Sequence, residues 1–151
     1  MTPVEIAMAP VANIAHVIQL SVAPVFLLSG IGVFLGVLTQ RLARVIDRSR
    51  LIEEQHEHAA GHERLHLEAD LRVMARRGRL ISQSITASVS SALAVALVVA
   101  LIFLSEFIRF PLAGLVSLLF IGAMLALLTG LIAFLIEVRV ATAQLRIGKR
   151  S

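Results

Sequence analysis

Charged and apolar positions separate into long blocks along this chain. Residues 6–40 carry no Lys, Arg, Asp or Glu, and neither do residues 80–105 or 110–136. A helix rising 1.5 Å per residue needs about 20 apolar residues to cross the hydrocarbon of a bilayer. Runs near residues 17–38, 83–104 and 112–136 meet that length. The pattern therefore predicts an all-α fold with three transmembrane helices. The remaining blocks are an N-terminal segment (1–16), a polar connection (39–82), a short loop (105–111) and a tail (137–151). Pro24 lacks an amide hydrogen and is expected to kink or delimit the first helix, leaving residues 3–16 as a separate short helix.

The 39–82 block changes sign twice. Arg41, Arg44, Arg48 and Arg50 open it, six acids face one arginine over residues 51–70, and Arg72, Arg76, Arg77 and Arg79 close it. That order fits a chain that leaves the bilayer, turns in water and returns. Gly61 is the turn candidate, as the left-handed residue that follows a helix. The block is then a long helical hairpin, with Leu42, Val45, Ile52, Leu67, Leu71 and Met74 as the seam between its arms.

Small residues recur within the spans. Gly32 and Gly36 form a G-x-x-x-G pair, which allows close approach of another helix. Ser84, Ser88, Ala92, Ala96 and Ala100 recur every four residues, and Gly114, Gly122, Ala126 and Gly130 fall at multiples of four. These rows predict tight packing of the second and third helices. Gln83, Thr86, Ser88, Ser90 and Ser91 add a polar face to the second. Its hydroxyls either bond to helix carbonyls and a neighbouring helix, or line a water-filled path between several copies of the chain.

Composition strengthens the membrane reading. The chain of 151 residues is 58% hydrophobic, with a mean hydropathy of +0.88. It has no Cys, which excludes disulfides and thiolate chemistry. The first apolar run is not expected to be a cleaved signal peptide, because no basic residue precedes it and the run is too long. A net charge of +4 suggests nucleic acid in a soluble protein, but the distribution here argues otherwise. Nine of the 14 Lys and Arg lie between residues 41 and 79, and four lie after residue 137. Positive-inside bias puts the 39–82 hairpin and the C-terminus in the cytoplasm, and the N-terminus and the 105–111 loop outside.

Several residues are candidates for chemistry. Arg41, Arg44, Arg48 and Arg50 stand just beyond the first apolar run, where guanidinium groups reach anionic lipid phosphate. Glu137 falls at a similar depth on the third helix and is expected to pair with Arg41 or Arg44. His58, His62 and His66 are spaced four residues apart. On a continuous helix such a row chelates a metal ion; around a turn at Gly61 it is a solvated tip or a pH sensor. Serines within the membrane and histidines outside it do not form a nucleophile–base pair, and no charged residue lies inside a span to drive coupled transport. The expectation is a non-enzyme without a cofactor.

The stretch "IQLSVAPVFLLSGIGVFLGVLTQRLARVIDRSR" (18–50) and the closing "FLIEVRVATAQLRI" (134–147) resemble an uncharacterised bacterial family of small three-span membrane proteins, domain of unknown function 2721. The resemblance implies an inner-membrane location and carries no activity with it. The resulting expectation is a homo-oligomeric interaction or scaffold protein, whose hairpin meets anionic lipid or a cytoplasmic protein. The other reading is an anion-preferring channel lined by the second span.

Overall fold

The computed structural model describes the backbone of residues 3–58, 61–105 and 113–147. It describes the side chains of residues 18–19, 21–56, 61, 63–105 and 113–142. Three helices account for this backbone: α1 (Pro3–His58), α2 (His62–Ser105) and α3 (Ala113–Ile147). Each contains a segment long and apolar enough to cross a membrane. Helices α1 and α2 have 56 and 44 residues, or about 84 and 66 Å at 1.5 Å per residue. Both are much longer than a hydrocarbon core of about 30 Å, so each continues well past its apolar segment. The 105–111 loop lies outside the described residues except for Ser105.

Two positions, Gly61 and Pro24, bear on this shape. Gly61 adopts φ of 64°, the left-handed conformation that costs glycine little, and it separates the end of α1 from the start of α2. Pro24, in contrast, does not delimit a helix. Residues 3–58 form one helix through it, and no separate short helix precedes the span. Proline removes a single amide donor, a loss that membrane helices tolerate when neighbouring groups cover the freed carbonyl; Pro24 itself is buried.

The packing follows a seven-residue period. Among the described side chains of α1 the buried positions are Ser21, Pro24, Ile31, Leu38, Val45 and Ile52, a seven-residue series from Pro24 onward with Ser21 one turn before it. On α2 they form two interleaved rows, Met74–Ile81–Ser88–Val95 and Ser84–Ser91–Val98. On α3 they are Ala123, Gly130 and Glu137. A repeat of 3.5 residues per turn keeps one stripe against a neighbour when helices supercoil to the left. The same rule acts along both the apolar segments and the polar arm. Leu38, Val45, Ile52, Met74 and Ile81 make one buried cluster, against which Leu42, Leu67 and Leu71 pack. All six residues expected in the seam of the arm are in it.

This period also corrects the expected small-residue rows. A strict spacing of four drifts by about 40° per step on a helix of 3.6 residues per turn, so Ala96 and Ala100 rotate away and are exposed. On α3 the buried residue is Ala123, not Gly122, and nothing lies within 4 Å of where a Gly122 or Gly114 Cβ would be. Gly130 is the true point of close approach. A Cβ there would stand 2.9 Å from Ser88 Oγ and 3.1 Å from the Ser84 carbonyl oxygen. The Ser84 hydroxyl donates to the Gly130 carbonyl at 2.7 Å. Ser88 at this contact, and Ser91 one turn on, are buried with their hydroxyls unbonded; at these two positions small volume, not polarity, is what the packing uses.

Replacements here separate size from hydrogen bonding. Gly130→Val should cost about 1–3 kcal/mol by overpacking, while Gly122→Ala should be neutral or slightly stabilising. Ser84→Ala should cost about 1 kcal/mol through its lost bond, and Ser91→Ala should cost nothing. SDS-induced unfolding of detergent-solubilised protein, followed by circular dichroism, measures all four; equal losses for Gly130→Val and Gly122→Ala would contradict the assigned contact.

Candidate functional site: a buried carboxylate shared by three helices

Helix α2 packs against both α1 and α3. Helices α1 and α3 meet through long side chains at one level. Glu137 is the first charged residue after the apolar run of α3, and it occupies the third position of the buried series 123–130–137. Its side chain is completely buried. Arg41, from α1, donates through an Nη to Oε2 at 2.8 Å. Arg77, from α2, donates through Nε and an Nη to Oε1, both at 3.0 Å. One carboxylate thus accepts three charge-assisted hydrogen bonds from two other helices.

Aromatic rings cover the apolar side of this group. The Arg41 guanidinium lies 5.1 Å from the centroid of the Phe134 ring, within cation–π range. Phe134 meets Phe34 edge to face, with centroids 5.4 Å apart. Phe134 stands one helical turn before Glu137, so it seals the membrane side while the arginines reach in from the polar side. Arg41 and Arg77 keep 33% and 20% of their side-chain surface exposed, and the carboxylate keeps none. The cost of burying charge therefore falls mostly on Glu137, and the two guanidinium groups offset it.

Of the two partners expected for Glu137, the structure brings Arg41 to it and not Arg44. Arg77 was missed. Its sequence neighbourhood reads as a solvated basic arm, yet it stands seven residues before Ser84 and fourteen before Ser91 in one α2 row. That row faces α3, and the seven-residue period is the signal that would have found it. Arg44, Arg48 and Arg50 are all exposed; Arg44 and Arg48 border a cavity beside the triad, and Arg50 does not.

The expected polar residues of α2 divide into two sets. Ser88 and Ser91 are buried, and Ser88 lies against Gly130 of α3. Gln83, Thr86 and Ser90 are exposed, and the Thr86 hydroxyl donates back to the Ser82 carbonyl at 3.0 Å. The histidine row is interrupted at the backbone, because α1 ends at His58 and α2 begins at His62. The side chains of His58 and His62 lie outside the described residues. His66 is exposed but engaged with a partner. Among the described residues no group of three or more His, Asp or Glu is placed to hold a metal ion. His56 instead links the two arms, with Nε2 at 3.4 Å from both Glu68 and Arg64 of α2.

A family model described as "Protein of unknown function (DUF2721)" matches residues 21–147, a range that includes all of these contacts. No curated protein and no solved structure matches the chain.

Removing the Glu137 charge leaves two guanidinium groups facing each other across a partly buried contact. Glu137→Gln should therefore cost about 3 kcal/mol, near the lower end for breaking a buried pair because the arginines keep some solvent. The triple replacement Arg41→Met, Arg77→Met, Glu137→Met removes every charge together and should recover most of that loss. SDS titration of the variants decides this. A triple variant no more stable than Glu137→Gln would mean that the carboxylate is not neutralising these arginines.

Proposed function

The chain belongs to the DUF2721 family, and from that premise we propose that it is a homo-oligomeric membrane scaffold that holds a rigid helical hairpin in the bacterial cytoplasm. The observation that carries this reading is the continuous seam of α1 and α2. Val45, Ile52 and Met74 remain buried beyond the apolar segments, which supports a packed arm over 39–82 in preference to a loose connection. Glu137 ties the base of that arm to the third span. A stiff, charged rod fixed to the bilayer presents a binding surface for a protein partner at a set distance from the lipid. The arginine-rich flanks support a cytoplasmic placement of the arm and of the C-terminus, with the N-terminus outside. The reading includes no catalytic step, no cofactor and no nucleic acid.

Support for self-association comes from the outer surface of α1. Gly32 and Gly36 are exposed, and nothing of their own chain lies within 4 Å of where their Cβ atoms would be. This small-residue face suits the backbone of a second copy, since lipid supplies no hydrophobic drive for helix association and close van der Waals contact must do so.

One observation favours an alternative. Gln83, Thr86 and Ser90 fall on a single exposed stripe of α2. In an oligomer that stripe would line a passive path, with arginines at the inner mouth selecting anions. Purified protein in liposomes separates the readings. The channel predicts anion flux that Ser90→Leu abolishes. The scaffold predicts no flux and a co-purifying partner that is lost when residues 51–70 are deleted.

The absence of cysteine makes topology and assembly directly measurable. Gln55→Cys should resist a membrane-impermeant maleimide in intact cells and react fully after permeabilisation. Gly32→Leu with Gly36→Leu should reduce the mass of the detergent-solubilised particle toward one chain. Labelling of Gln55→Cys from outside would reverse the orientation, and a wild-type monomer would remove both the oligomeric scaffold and the pore.

A further inference from the structure

A cavity of about 380 Å³ opens beside the triad, where all three helices meet. Val45 and Met74 form its apolar floor, and both are buried in the seam. Its polar lining comes mainly from Arg41, Arg44 and Arg48 of α1 and Arg77 of α2. No acidic residue lines it. Glu137 lies behind Arg41 and Arg77 and balances one of the four positive charges. Arg44 and Arg48 make no hydrogen bond or ion pair among the described residues. They stand four residues apart on α1, one helical turn, so both guanidinium groups reach the same side of the cavity.

Like charges gathered around a partly enclosed site repel one another, and Arg44 and Arg48, which are exposed at its rim, stay open to a ligand from outside. An anion removes that repulsion and receives several N–H donors at once, a geometry that arginine offers to phosphate better than lysine does. We propose that this cavity binds a phosphate group, with Arg44 and Arg48 as its direct ligands and Arg41 and Arg77 as pre-oriented charges held in place by Glu137. Position argues for lipid as the source. Arg41 is the first charged residue after the charge-free stretch of residues 6–40, and Glu137 is the first after residues 110–136. The cavity therefore sits where hydrocarbon gives way to head groups, and basic pockets between membrane helices at that depth hold anionic lipid. The space equals that of about a dozen waters at roughly 30 Å³ each, enough for a phosphate with its glycerol. The role of Glu137 here is to keep Arg41 and Arg77 facing inward, so that they do not extend into water.

Native mass spectrometry of the full chain released from neutral detergent tests this with three probes: short-chain phosphatidylglycerol, short-chain phosphatidylcholine and inorganic phosphate. Phosphatidylglycerol should bind, and Arg44→Gln with Arg48→Gln should weaken it about tenfold or more, the effect expected from losing charge-assisted hydrogen bonds. Arg72→Gln removes an exposed arginine away from the cavity and should bind as the wild type does. Inorganic phosphate that binds with the same dependence on Arg44 and Arg48 would support the site and assign a soluble anion as its source. Phosphatidylglycerol alone would assign the lipid. Equal binding by the wild type and the double variant, equal weakening by Arg72→Gln, or phosphatidylcholine binding as tightly as phosphatidylglycerol would overturn the proposal. The two ligand arginines take no part in internal pairing among the described residues, so their replacement leaves the fold intact; circular dichroism checks this.

Discussion

A fully buried carboxylate held by two arginines from different helices governs how this protein is assembled. Burying Glu137 alone would cost several kcal/mol in lost hydration. Its three hydrogen bonds from Arg41 and Arg77 make that burial tolerable only when all three helices occupy one register. A slip of one residue between α2 and α3 would turn Arg77 away and leave the charge uncompensated. The apolar contacts elsewhere are far more permissive, because aliphatic side chains in lipid have no preferred partner. Specificity of register therefore falls to the charged group, while the seam supplies close packing.

That division explains the uneven character of the three helices. Helix α2 is central and carries two buried rows, with large residues against α1 at its polar end and serines against α3 further along. Toward α1 it offers Met74 and Ile81; toward α3 it offers Ser84 and Ser88, and Gly130 approaches its backbone closely. Among the described residues, helices α1 and α3 lack a broad contact with each other. Their link is the Arg41–Glu137 pair together with Phe34 and Phe134. Loss of the triad would thus affect the α1–α3 relationship first, and the α2–α3 contact around Gly130 least.

Much of this arrangement was legible in the sequence, for identifiable reasons. Charge-free runs announce membrane helices because the cost of burying charge is large. Gly61 marked the turn because few residues accept a left-handed backbone cheaply. The Arg41–Glu137 pair followed from matching depths on two helices. What escaped was rotational. Ala96, Ala100 and Gly122 looked like interface residues because four is close to one helical turn, yet the error accumulates along a long helix. The same oversight hid Arg77, whose position in the 77–84–91–98 row counts for more than its basic neighbours. Pro24 does not end the helix, because one lost hydrogen bond outweighs little when a membrane helix is otherwise continuous.

The polar end of the three spans is consequently a built structure, with an ordered sequence of environments over a few residues. Phe134 closes the apolar side, Glu137 holds two guanidinium groups, and Arg44 and Arg48 stand beyond them at the edge of an open cavity. Solid-state NMR tests the foundation of this account most directly. Protein labelled with ¹⁵N-arginine and ¹³C-glutamate, reconstituted in lipid bilayers, allows carbon–nitrogen dipolar dephasing of carboxylate signals. The Arg77 Nε to Glu137 Oε1 distance of 3.0 Å predicts a rapidly dephased carboxylate signal that disappears in Glu137→Gln and slows in Arg77→Gln. A dephasing curve left unchanged by either replacement would show that the carboxylate is not clasped by arginine.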